Sequence, residues 1–331
     1  MQGETRIYNT FTTENMRGNA GKTPKAVYFF PKKVYNSSGY FCGEADMTIW
    51  EKFRALFVRK KPSVVLGLAL GSGGAKGMAH LGALKAFAEE GLRFSVITGT
   101  SIGSVVGALL AKGYSWADMT SVVDSVDRNA FAKNLRPFAD LAPIEAFLEQ
   151  YLEGDFASLP LPFACCATDG ESNESVVISE GKLARALTAS CAIPPFFRGV
   201  EIGGRKLYDG AFSDAIPADV CRAMGAEVVI GIDLSAYVRQ DSEKGRVERL
   251  VGSVVGAITP VKTLKDAKTR GYRAADVMLR PNLFDFRATS IDRAAADAMF
   301  EIGYSEAKSR MEEIRAAIAD AQKKKSRRRA G

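Results

Sequence analysis

The sequence predicts an α/β protein in which a mostly parallel sheet is covered by helices on both faces. Three observations carry that prediction. First, SVVLGLAL (63–70) and AEVVIGIDLS (226–235) are continuous apolar runs of strand length, as expected of strands buried on both sides. Second, helix-like stretches that stop at glycine (76–90 before Gly91, 101–112 before Gly113) lie between such runs. Third, strand and helix alternate along the body, the order that builds parallel sheets through crossover connections. The 331 residues are 47% hydrophobic and 25% charged, an ordinary globular composition, and no internal repeat is visible.

The elements follow in order. Residues 1–46 lack periodicity and read as a loosely ordered extension. In MTIWEKFRALFVRKK (47–61), Ile49, Trp50, Phe53, Leu56 and Phe57 share one helical stripe, with basic residues elsewhere, and Pro62 ends the helix. This amphipathic basic helix (47–62) suits docking on the body or an interfacial position on a membrane. The body, 63–322, continues with strands at 63–70 and 93–98 and helices at 76–90 and 101–112. Residues 115–153 are helical with breaks near Pro137 and Pro143. LPFACCAT (161–168) and ESVVIS (174–179) form a strand pair around a DGESN turn. A helix at 182–190, a short strand at 205–208, a helix at 215–224, the strand at 226–235 and another near 275–281 complete it, with further helices behind. The tail, 323–331, begins KKKSRRR.

The net charge is +7, and the basic excess sits at the two ends. Residues 1–62 hold eleven Lys and Arg against five Asp and Glu, and the tail adds six more basic residues. The intervening body is net acidic, which argues against a broad nucleic-acid groove, and no nucleic-acid partner is expected. Peripheral contact with an anionic membrane through 47–61 and 323–329 is the expectation these ends support. The start is polar with no apolar signal region, and the longest apolar stretch, near 96–111, is short and glycine-rich. Cys42, Cys165, Cys166, Cys191 and Cys221 show no metal or redox spacing and read as reduced thiols of a cytoplasmic protein.

Two glycine-rich turns carry the chemistry. LALGSGGAKG (68–77) joins a buried strand to a helix. A dinucleotide loop would need an acid at the end of the next strand, which instead ends ITGTS, and a P-loop would need Ser or Thr after Lys76. The readings left are a purely structural tight turn and an oxyanion hole, in which glycines let several backbone N–H groups converge at a helix N-terminus. ITGTSIGSVVGA (97–108) places Ser101 between Gly99 and Gly103 on a strand-to-helix turn, the nucleophile-elbow pattern. The single histidine, His80, lies on the helix behind the glycine loop, an awkward place for a triad base. A carboxylate on a strand-end turn is the alternative. Asp169-Gly170 and Asp209-Gly210 both qualify, and composition does not separate them.

GSGGAKG, GTSIG and Asp209-Gly210-Ala211, in that order, together with AHLGALKAF and ASCAIPPFF between them, resemble the patatin-like phospholipase family over about residues 64–235, and the chain is similar to its small bacterial members. The resemblance implies a three-layer α/β/α fold and lipid acyl hydrolase activity on phospholipids, lysophospholipids or other acyl esters. It implies a Ser-Asp dyad with no metal and no organic cofactor. By position, Ser101 is then the nucleophile, Asp209 the proton acceptor, and the amides of Gly73, Gly74 and Ala75 the oxyanion hole. Gly71, Lys76, Gly77, Gly99, Gly103, Gly210 and Ala211 support the motifs. Ser72 stands where many members have glycine, and FSDAIPADV (212–220) lacks the asparagine that members often carry before the proline. Phe94, Phe196, Phe197 and Phe212 are candidates for an acyl pocket or for core. The rival expectation is a membrane-recruited adaptor that binds acyl lipids with little turnover.

Overall fold

The computed structural model describes residues 10–11, 27–29, 64–125, 139–236, 261–290 and 292–330. Its strands are β1 (Thr10–Phe11), β2 (Val27–Phe29), β3 (Leu66–Leu70), β4 (Val96–Thr100), β5 (Phe163–Asp169), β6 (Ser175–Ile178), β7 (Val200–Ile202), β8 (Arg205–Asp209), β9 (Val228–Ile232) and β10 (Val277–Leu279). The α-helices are α1 (Met78–Glu89), α2 (Ile102–Lys112), α3 (Trp116–Asp124), α4 (Ala142–Tyr151), α5 (Leu183–Ser190), α6 (Ala218–Ala223), α7 (Val261–Ala274), α8 (Arg293–Ser309) and α9 (Met311–Ala330).

One sheet runs β1-β2-β6-β5-β4-β3-β9-β10, with β8 also paired to β5 and β7 to β8. The run β5-β4-β3-β9-β10 is parallel throughout, as the alternating order predicts. The flank is not. The β5–β6, β5–β8, β7–β8 and β1–β2 pairings are antiparallel and β2–β6 is parallel, so a sheet with a parallel majority carries an antiparallel admixture on this side. For β5–β6 and β7–β8 the reason is local, because short turns at 170–174 and 203–204 leave no room for a crossover and fold each strand back on its predecessor.

Side-chain alternation divides the sheet into two faces. Leu66, Leu68 and Leu70 of β3 and Val228, Ile230 and Ile232 of β9 enter the main core with α1, α2 and α8. Ala69 and Val229 point the other way, against Ala218 and Cys221 of α6, and α7 packs behind α6. Small residues let these layers close. A Cβ on Gly67 would collide with the Cys221 sulfur, and one on Gly82 of α1 or Gly303 of α8 would enter the partner helix's backbone. The result is a three-layer α/β/α arrangement.

Of the segment read as a loosely ordered extension, β1 and β2 add to the β6 edge of the sheet. Its remainder and the amphipathic helix at 47–62 lie outside the described residues. The basic tail continues α9 through Ala330. Its place is decided by Lys325, whose Nζ lies 3.0 Å from Glu227, while the same carboxylate accepts the Val65 N–H at 2.8 Å. Val65 and Glu227 immediately precede β3 and β9, so the tail sits at the amino edge of the sheet. The glycine loop and Ser101 follow β3 and β4 and lie at the opposite, carboxyl edge.

Candidate active site

The carboxyl edge is assembled by two strand-to-helix turns on adjacent strands. β3 and β4 pair in parallel register, Leu70 opposite Gly99. At the end of β4 the chain turns sharply, and Ser101 takes φ 54° and ψ −126°, a strained backbone for a residue with a Cβ. Its neighbours must be glycine. A Cβ on Gly99 would enter the Gly103 carbonyl, and one on Gly103 would enter the Leu70 carbonyl. The glycine loop meets the elbow directly, since Gly77 leaves the space that the Ile102 side chain fills.

Ser101 Oγ donates to Asp209 Oδ2 at 2.6 Å. The two residues are 5% and 1% exposed, so the bond is shielded from water. Asp209 ends β8, whose antiparallel partner β5 sets Ala167 opposite it. Ala211 N–H donates to the other oxygen, Oδ1, at 2.8 Å, which is how the Asp-Gly-Ala turn aims the carboxyl. Thr168 Oγ1 holds the Asp209 carbonyl at 2.8 Å. The Ser101 N–H donates to Ser190 Oγ at 2.9 Å, and Ser190 Oγ–H donates to the Cys166 carbonyl at 2.7 Å. Burial pushes the Asp209 carboxyl up to about 7, opposed by the hydrogen bonds from Ser101 and Ala211.

The other sequence candidates separate clearly. Asp169 Oδ1 accepts the Glu171 and Ser172 N–H groups at 2.9 and 3.0 Å and its Oδ2 faces Arg205 at 3.7 Å, the work of a turn residue. His80 is fully buried, and its Nε2 lies 2.9 Å from the Gly71 carbonyl. That acceptor places the proton on Nε2, and burial lowers the imidazole to about 4, so it stays neutral. Histidine braces the start of the glycine loop and does not reach the serine–carboxylate pair. Phe94 precedes β4, at the amino edge of the sheet, and packs edge-on against Phe87 at 5.3 Å. Phe196, Phe197 and Phe212 are buried.

The three expected oxyanion amides are not equivalent. The Ala75 N–H donates to the Ala288 carbonyl at 2.8 Å, from the connection between β10 and α8. Gly71 and Ser72 amides are tied to Ile232 and Ala215 carbonyls, each at 3.0 Å. Among the described residues no backbone acceptor is assigned to the amides of Gly73 and Gly74. Lys76 closes the 3₁₀ turn Gly74–Gly77 through its N–H to the Gly73 carbonyl at 3.2 Å. Sequence reasoning missed Ser190, Thr168 and Ala288, for no local pattern marks a serine, a threonine or a carbonyl that acts through tertiary placement. It also left Cys191 unplaced. That thiol stands beside the Ser101 and Ser104 hydroxyls, held up by burial and by Asp209. Among the described residues no group of three or more His, Cys, Asp or Glu side chains could hold a metal.

A strained serine on a strand-to-helix elbow, a buried carboxylate bonded to it and a glycine loop at a helix start define an α/β protein of the nucleophile-elbow class. Within that class, residues 68–222 match the patatin-like phospholipase family. An uncharacterized NTE family protein of Mycobacterium tuberculosis is 35% identical over 188 residues, 55% of this chain and 52% of its own length. Patatin-like phospholipase domain-containing protein 6 of Homo sapiens is 28% identical over 282 residues, 74% of this chain and 20% of its length. The chain thus spans about half of the mycobacterial relative and a fifth of the human one. The crystal structure of VipD from Legionella pneumophila aligns over 77% of this chain and 67% of its own, with 15% identity and a TM-score of 0.47.

Proposed function

We propose that the chain is a serine lipid acyl hydrolase that cleaves carboxylic esters of phospholipids or lysophospholipids through Ser101 and Asp209. The observation that carries this reading is the 2.6 Å hydrogen bond between Ser101 Oγ and Asp209 Oδ2 in a water-poor setting. A carboxyl held near neutrality is matched to general-base work at neutral pH. Asp209 accepts the Ser101 proton as Oγ attacks the ester carbonyl, and the tetrahedral oxyanion rests on the Gly73 and Gly74 amides. The protonated Asp209 returns that proton to the leaving alcohol. Water, deprotonated by Asp209, then attacks the acyl-enzyme carbonyl, and as the Ser101 ester bond breaks Asp209 returns the proton to Ser101 Oγ and the fatty acid leaves. The match to the patatin-like phospholipase family over residues 68–222 supports the lipid substrate class.

Contact with an anionic membrane through 323–329 belongs to the same proposal, as a tether. Lys325 lies at the sheet edge opposite Ser101, so contact there would hold the protein near lipid without itself presenting the serine to it. No helix among the described residues is long and apolar enough to cross a membrane. The test is an acyl-ester panel run with wild type and Ser101→Ala. Turnover of some ester that vanishes in the variant is expected. Turnover unchanged in the variant would overturn the reading, and tight lipid binding with no turnover in wild type would replace it with the adaptor.

A further inference from the structure

A second set of titratable groups lies behind the Ser101–Asp209 pair, unused by the chemistry above. Asp214 closes the turn that begins at Asp209 and is 2% exposed. Its backbone ties the two halves of the site together. The Asp214 N–H donates to the Gly210 carbonyl at 2.8 Å, and its carbonyl accepts Thr100 Oγ1–H at 2.7 Å. Thr100 directly precedes the serine.

The Asp214 carboxyl faces three ionisable groups on three elements: Asp219 of α6, Arg270 of α7 and Cys166 of β5. Arg270 is the cation of this set. Its Nε lies 3.7 Å from Asp219 Oδ2, its Nη2 donates to the Ser213 carbonyl at 3.2 Å, and its Nη1 has no hydrogen-bond partner among the described residues. Asp214 Oδ2 receives only the weak thiol donor of Cys166, at 3.9 Å, and Oδ1 has no hydrogen-bond partner among the described residues. One guanidinium therefore serves two carboxyls. An ionised Asp214 would be a buried charge beside a like charge, with no N–H or O–H donating to its carboxyl among the described residues. A protonated Asp214 has an O–H to offer the Asp219 carboxylate. Burial first and the Asp219 charge second push Asp214 well above the usual carboxyl range, against Arg270 and Cys166.

Resting on the hydrolase reading, we propose that Asp214 is a positioning residue for Ser101 and Asp209. As a neutral carboxylic acid it hydrogen-bonds the Asp219 carboxylate and clamps the turn carrying Asp209 to the strand end carrying Ser101. Loss of its proton places a second negative charge in the wall and loosens the clamp.

The experiment compares wild type, Asp214→Asn and Asp214→Ala across neutral to alkaline pH. It measures the rate of Ser101 labelling by a fluorophosphonate per folded molecule, together with urea stability. Asparagine is a neutral near-isostere with its own donor, so Asp214→Asn should label within about twofold of wild type at neutral pH. It should also lack the alkaline fall in rate and stability that wild type shows. Asp214→Ala should label about tenfold or more slowly at neutral pH while still folded, because the turn is misplaced. Superimposable pH profiles of wild type and Asp214→Asn would overturn the proposal, as would Asp214→Asn labelling as slowly as Asp214→Ala. Should wild type fail to label at any pH, the hydrolase reading falls instead. Stability then still judges the neutral acid, since wild type must lose stability relative to Asp214→Asn as pH rises.

Discussion

Replacing Asp209 with asparagine removes the one carboxyl whose ionisation the account requires, and the size of the effect follows from its environment. The folded carboxyl sits at about 7 against 3.8 for an ordinary aspartate, with burial the leading cause. That gap corresponds to about 4 kcal/mol, at about 1.4 kcal/mol per pH unit. The sign is fixed by which state holds the proton more tightly. Below about pH 3 folded and unfolded chains are both protonated at this position, and the stabilising contribution is complete. As pH rises the unfolded chain releases its proton first, so wild type loses stability until the folded carboxyl ionises near 7, then levels off. Asp209→Asn cannot titrate there. Urea unfolding of both proteins at about pH 4, 5.5, 7 and 8.5 should therefore show the wild-type advantage shrinking by about 4 kcal/mol across the series. Labelling of Ser101 by a fluorophosphonate should rise about tenfold per unit below pH 7 in wild type, level off above it before the alkaline fall assigned to Asp214, and be absent in the variant. A stability difference that stays constant with pH would refute the buried, neutral-poised base.

Further outcomes can be checked independently. Gly103→Ala forces a Cβ into the Leu70 and Gly71 carbonyls, so it should prevent soluble expression or unfold at ambient temperature, read by circular dichroism. His80→Ala should cost about 2–4 kcal/mol in urea unfolding, from a buried cavity and the lost Gly71 contact, yet retain Ser101 labelling in the folded protein. Asp169→Ala removes two turn hydrogen bonds and should cost about 1–2 kcal/mol with labelling unchanged. Removing 323–331 should leave turnover of a soluble short-chain ester intact, because the tail is at the far edge of the sheet, while weakening association with anionic vesicles at low salt.

What the sequence made legible was the local geometry. Strands β3 and β9 announce themselves by unbroken apolar runs, and the elbow by glycines whose spacing is forced by carbonyls a Cβ would strike. The strand pair around the DGESN turn already contained the antiparallel flank, though the alternating order drew attention to the parallel centre. β7 was invisible, being three residues with a glutamate in the middle, and among the described strands it pairs with β8 alone. Choosing between Asp169 and Asp209 was not a local question. Both are Asp-Gly turns, and they differ in that one spends its oxygens on its own turn amides whereas the other faces Ser101. The same holds for Ala75, whose amide is drawn to Ala288, more than two hundred residues away in sequence.

The account stands on the Ser101–Asp209 hydrogen bond acting as nucleophile and base. Its most direct test is fluorophosphonate labelling of the purified full chain near pH 8, with the modified residue located by peptide mass spectrometry. The account predicts a single adduct on Ser101, lost in Ser101→Ala and in Asp209→Asn while both variants remain folded. Labelling on another residue, or undiminished Ser101 labelling in folded Asp209→Asn, would contradict it.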